Sequence, residues 1–239
     1  MGNQFDCHDE VIIVLAGRNY IYQLLAHVFR EKPGSQLLEG LTCGFTEEVL
    51  DMMLDEKCLT SYKKLFAQLR TDISITPNDI IDRIKDEYVY LMLGPEKLIA
   101  PPWESVYVNK APLLFQESTL KVRQAYLDYN LLPAAYPHEA DDHLALELDY
   151  MAHLAQLSRE RFEKNDIPQL QKILSDQKAF LENHLLVWIG DFAEQIQSSK
   201  KRYFYPHMAS LTKHVVHADH AALNELLLVC NNAMNRESA

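Results

Sequence analysis

The sequence predicts an all-α protein, a single-domain multi-helix bundle with one long, ordered, Pro-rich loop. Three observations carry that expectation. Glycine is scarce, seven residues in 239, where ordinary usage is about 7%. Leu, Ala, Glu and Gln are plentiful, which favours helix over a turn-dense β architecture. Apolar residues recur at helical spacing, most clearly Leu144, Leu148, Met151 and Ala155, which make one core-facing stripe.

The elements follow in order. Over 9–30, Val14, Ile21, Leu25 and Val28 keep the helical period, and Lys32-Pro33-Gly34-Ser35 stops it. Shorter helices are expected over 46–53 and 59–70. Thr76-Pro77-Asn78-Asp79 opens a longer one reaching Leu93, with proline at its first position. Residues 94–115 hold Pro95, Pro101, Pro102 and Pro112 and are the least helical stretch, because proline fixes φ and lacks an N–H. Loops of about 20 residues are uncommon and usually functional or disordered; Trp103, Tyr107 and Val108 argue for order. Helices are then expected over 116–129, from Asp141 or Asp142 to about Phe162, and over 167–174, 177–197, 203–216 and 219–232. The whole chain, 1–239, reads as one domain: a helical part over about 9–165, a hinge at 165–175, and C-terminal helices over 176–232.

Composition excludes several functions. Asp and Glu number 34 against 23 Lys and Arg, a net charge of −11. That argues against a nucleic-acid surface and toward basic partners. No Gly-rich phosphate loop is present. Cys7, Cys43, Cys58 and Cys230 form no C-x-x-C pair. The acidic N-terminus lacks the basic start of a secretory signal, and Asp6 breaks the myristoylation pattern despite Gly2. With no apolar run of about 18 residues, the expectation is a cytoplasmic protein with free thiols and no stable membrane insertion.

The densest chemistry is His138-Glu139-Ala140-Asp141-Asp142-His143 followed by Glu147 and Asp149, acidic residues and imidazoles without one Lys or Arg. Asp141 reads as a helix N-cap, while His143, Glu147 and Tyr150 make a polar stripe that capping leaves unexplained. A metal-dependent hydrolase using His138, Glu139, Asp142 and His143 is the enzyme alternative, although the His-Glu-x-x-His spacing is not met. His214, His217 and His220 cluster around an expected turn. No Gly-x-Ser-x-Gly elbow occurs. In Ala100-Pro101-Pro102-Trp103-Glu104-Ser105-Val106-Tyr107, aromatic rings and a carboxylate on a rigid backbone suit a peptide bearing apolar and Arg side chains.

Those residues resemble the TorD/DmsD family. Glu87-Tyr88 through Leu91, Gly94-Pro95 and the Pro-Pro-Trp-Glu-Ser-Val-Tyr segment match one signature. Glu139 to Leu144 with Glu147-Leu148 is similar to the family's Glu-Pro-x-Asp-His-Leu-x-x-Glu-Leu motif, with Ala140 in place of Pro. His184-Leu185, Trp188, Phe192, Phe204 and Tyr205 look like its later block. The resemblance implies a TorD-like all-helical cytoplasmic chaperone, not an enzyme, that binds the precursor and twin-arginine signal peptide of a molybdenum-cofactor oxidoreductase. It supports cofactor insertion there and delays export until folding is complete. By the same resemblance Asp142 and His143 are the Asp-His pair of the signal-peptide site, and Pro102, Trp103 and Tyr107 belong to its Pro-Pro-Trp loop. Asp142, oriented by His143 and aided by Glu139 or Glu104, is expected to meet the Arg pair. Trp103 and Leu98 meet apolar residues, Glu147 completes the site, and His143 is expected to titrate near neutrality. No cofactor or metal is expected; the resemblance raises GTP binding, for which no phosphate loop is visible. It also allows a monomer or a domain-swapped homodimer.

Overall fold

The computed structural model describes residues 3–94, 98–108, 117–132 and 139–237, with side chains described from 8 to 232. Among these the backbone is helical or irregular, apart from one two-residue β-bridge. The all-α expectation is met.

Helix α1 (Asn3–Arg30) lies along α8 (Leu144–Glu163) in the most extensive helix pairing of the molecule. The stripe Leu144, Leu148, Met151 and Ala155 is fully buried there, as are Ile21, Leu25 and Val28. The window His8–Arg30 has a mean hydropathy of 1.3 and is long and apolar enough to cross a membrane by composition. Its apolar side is instead spent on packing within the bundle, so the expected absence of such a run is corrected: averaging over Arg18 and Asn19 leaves the window apolar.

Around this pair lie α2 (Ser35–Thr42), α3 (Gly44–Met53), α4 (Glu56–Ile75) and α5 (Pro77–Tyr88). Helix α2 escapes the sequence pattern because eight residues with Gly40 in the middle carry little periodicity. Its Leu37, Leu38 and Leu41 nevertheless bury against the core. Pro77 opens α5 as expected, yet Thr76 makes no side-chain capping bond. A π-helical stretch, Val89–Leu93, ends this arm.

Two short helices follow, α6 (Glu104–Val108) and α7 (Glu117–Leu127). Helix α6 puts a short helix into the least helical stretch, 94–115: it lies between Pro102 and Pro112, where no proline interrupts a turn. Residues 95–97 and 109–116 lie outside the described residues.

Beyond α8, Asn165 in the left-handed region (φ 55°) turns the chain into α9 (Ile167–Phe180), capped by Asp166. The stretch 165–175 is thus one turn and then helix. A second π-helical stretch, Leu181–Leu185, joins α9 to α10 (Leu186–Gln197). The last helix, α11 (Tyr205–Glu237), is continuous for 33 residues, not two helices broken near 217. Nothing there blocks helix, and the Asp219 carboxylate that resembles a cap is taken by Arg18 of α1. His214, His217 and His220 therefore lie along one helix rather than around a turn.

Two polar clusters fix this frame. Arg18, 1% exposed, donates from Nη2 to Asp219 at 3.0 Å and to Gln177 of α9 at 2.6 Å, and Tyr22 donates to the same aspartate at 2.8 Å. At the other end Glu87 accepts the N–H groups of Tyr203, Phe204 and Tyr205, closing the start of α11. The Glu87-Tyr88 and Phe204-Tyr205 motifs are thus contact partners, with the Tyr88 and Tyr205 rings 5.6 Å apart.

Candidate functional site

The Pro-Pro-Trp segment and the Asp-His segment are sewn together by backbone. Leu144 donates to the Pro102 carbonyl at 2.8 Å and Glu104 to the Asp142 carbonyl at 3.0 Å, which forms the Trp103–His143 bridge. Asp142 Oδ2 also accepts the Ser105 N–H at 2.8 Å and so caps the first turn of α6. Trp103 donates its indole N–H to Glu139 Oε1 at 2.9 Å and stands edge-on to His143, centroids 5.5 Å apart.

His143, not Asp141, is the N-cap of α8: its Nδ1 accepts the Ala145 N–H at 3.1 Å. Asp141 is instead paired with Arg123 of α7 at 2.6 Å. An accepting Nδ1 carries no proton, and burial lowers the His143 pKa to about 4 against the pull of Asp142. The expectation that it titrates near neutrality is corrected: the imidazole is neutral at physiological pH.

Behind this seam lies a buried cluster. Glu104, 2% exposed, has Oε2 at 2.9 Å from His184 Nδ1. Glu147, fully buried, accepts the Trp188 indole N–H at 3.2 Å. Burial, and then the nearby Glu104, push its carboxyl well above the usual carboxylate range. Tyr107 stacks on Trp188 with centroids 5.3 Å apart, and its hydroxyl finds no partner among the described residues. The later His184, Trp188 and Phe192 block is thus the wall on which the Pro-Pro-Trp segment rests.

In front of the seam opens a cleft of about 560 Å³ whose wall includes Glu139, His143, Leu131, Leu132, Asp149 and Tyr150. Arg30 reaches in from α1 and pairs with Asp149 at 3.0 Å. Of the site residues expected from sequence, Glu139 and His143 line the cleft and Trp103 braces both. Pro102, Glu104, Asp142 and Glu147 are buried behind it, Tyr107 packs on α10, and Leu98 is half-buried on the approaching segment. Asp142 is 0% exposed, so a direct contact with an arriving guanidinium is not available in this conformation. Sequence reasoning passed over Asp149, visible only as one acid among many, and Arg30, which no local pattern ties to it. His138 lies outside the described residues. Among the described residues no group of three or more His, Cys, Asp or Glu side chains could hold a metal ion.

Comparison with known proteins places the chain in a family. Residues 55–194 match the family described as nitrate reductase delta subunit. The chain is 27% identical over 194 residues to the "Probable Tat proofreading chaperone DmsD" of Haemophilus influenzae, covering 80% of this chain and 83% of that one. It is 26% identical over 217 residues to the "Chaperone protein TorD" of Vibrio cholerae, covering 91% and 96%. The chain belongs to the TorD/DmsD family. As a TorD/DmsD protein it is a chaperone rather than an enzyme, which overturns the hydrolase alternative. The family match contains the bridged segments and the His184 wall, whereas Arg18 and Asp219 fall outside it.

Proposed function

We propose that the chain, working as one helical domain in the cytoplasm, binds the precursor of a molybdenum-cofactor oxidoreductase through its twin-arginine signal peptide, supports cofactor insertion and delays export until folding is complete. The cleft carries this reading: it offers the carboxylates of Glu139 and Asp149 on a wall that also presents Leu131 and Leu132. Guanidinium–carboxylate contacts are charge-assisted and often bidentate, and Asp149 already holds one such group, that of Arg30. Incoming Arg side chains meet Glu139 and compete with Arg30 for Asp149. The apolar stretch of the signal lies on the leucines and reaches Trp103 and Leu98. Asp142, Glu104, Glu147, Pro102 and Tyr107 act by holding that surface in place.

Purification of the tagged chain from its own host grown anaerobically, with mass spectrometry of bound proteins, tests the function. A molybdoenzyme precursor bearing a twin-arginine leader is expected with the wild type and lost with Glu139→Ala/Asp149→Ala. Equal recovery from both would remove the cleft from the account, and absence of any such precursor would remove the function.

A further inference from the structure

The site holds more acid than its neighbours can balance, and this excess is not used by peptide docking. Glu104 on α6 and Glu147 on α8 are both buried, the start of α6 is tied to the turn before α8 by the Glu104 N–H to Asp142 carbonyl bond at 3.0 Å, and Glu104 is the charge that weighs most on Glu147. Glu147 Oε2 takes the Trp188 N–H, while Glu147 Oε1 is buried without a donor among the described residues. The groups packed around them are His184 from the second π-helical stretch, Trp188 from α10, Tyr126 from α7, and Asp141 and Asp142 from the turn before α8. The Arg123 guanidinium is already on Asp141. Two carboxylates this close in a low-dielectric site cannot both stay ionised, and an acceptor oxygen with no donor is costly. One proton between them answers both problems.

We propose that Glu147 is carried in the folded protein as the neutral acid and donates its proton to Glu104, so that Glu147, Glu104 and His184 form a proton-closed latch fastening the Trp103–Val108 segment to α8 and α10. Glu147 is thus a positioning residue: it touches no ligand and sets the stance of the seam that presents Trp103 and Glu139. When the proton leaves to solvent, facing anions push α6 off α8 and the cleft loses its brace. Burial first, then Glu104 and Asp142, favour the neutral form of Glu147.

The sign follows from linkage. A carboxyl raised in the folded state adds stability at acid pH, and that contribution declines as pH climbs from the unfolded value of about 4.3 through the folded one. Glu147→Gln keeps the shape and a donor without needing a proton. Thermal melts from pH 5 to pH 8 are therefore expected to show the variant close to wild type at the acid end. It then gains about 3 to 5 °C in Tm for each pH unit above, until Glu147 ionises. A constant offset between the two, or a variant less stable throughout, would overturn the latch. Infrared spectroscopy at neutral pH is a second reading: a protonated-carboxyl carbonyl band is expected in wild type and absent from Glu147→Gln. If that variant does not fold, Glu104→Gln replaces it. Its amide supplies the missing donor, so the band must shrink, and an undiminished band contradicts the proposal. Neither reading involves a peptide, so both stand or fall apart from the docking function on which the cleft's loss of brace matters.

Discussion

Arg18 and Glu147 are both fully buried ionisable side chains, but the structure treats them in opposite ways. Arg18 is matched by Asp219, with Gln177 and Tyr22 beside the pair, and it joins α1, α9 and α11, while its Nη1 is buried without a partner among the described residues. Glu147 is surrounded by Glu104, Asp142, Trp188 and one imidazole, His184, with buried acceptor oxygens left over on Asp141, Asp142 and Glu147. The first cluster is a structural fastener whose charge is matched. The second is short of positive charge and lies directly behind the cleft. Uncompensated carboxylate oxygens at a site persist where something besides stability maintains them.

Breaking the first cluster has the largest expected effect. Arg18→Ala strands Asp219 and is expected to cost about 3–5 kcal/mol, read as a lowered midpoint in chemical denaturation. Arg18→Met with Asp219→Leu restores most of it, because a buried pair exchanged whole for apolar residues is often neutral. In the second cluster the sign reverses, since Glu147→Gln is expected to stabilise at neutral pH. Asp142→Ala, which takes the acceptor from the Ser105 N–H, is expected to cost about 1–3 kcal/mol and to weaken peptide binding by loosening α6. His143→Ala removes the α8 cap for about 1 kcal/mol. His143→Asn, which can still cap, is expected to leave the pH dependence of peptide affinity between pH 6 and 8 unchanged, because the imidazole is neutral there. Glu139→Gln has the smallest effect, about a two- to five-fold affinity loss that shrinks as salt rises, since Glu139 is partly solvated. Calorimetric titration with a synthetic peptide of two adjacent Arg and an apolar run measures these.

The same contrast shows what the sequence made legible. Periodicity found the α8 stripe because Leu144, Leu148, Met151 and Ala155 obey a local rule, and the signature segments were recognisable as a set. Their roles were not, because these depend on distant partners. Asp142 reads as an exposed acid for binding Arg, yet it is buried by a backbone seam formed with Pro102 and Glu104. Asp219 reads as a helix start because nothing local points to Arg18. Arg30 and Asp149, an ion pair within the cleft, share no motif. Short α2 and the two π-helical stretches escaped because they carry too few residues, or the wrong period, for a helical pattern to register.

Hydrogen–deuterium exchange with and without the twin-arginine peptide tests the central claim most directly. Slowed exchange is expected over 98–108 and 139–156, where the bridged segments and the cleft wall lie, with little change in the second half of α11. Protection confined to α11, or to α1 and α3, with 98–108 and 139–156 unchanged would contradict the account.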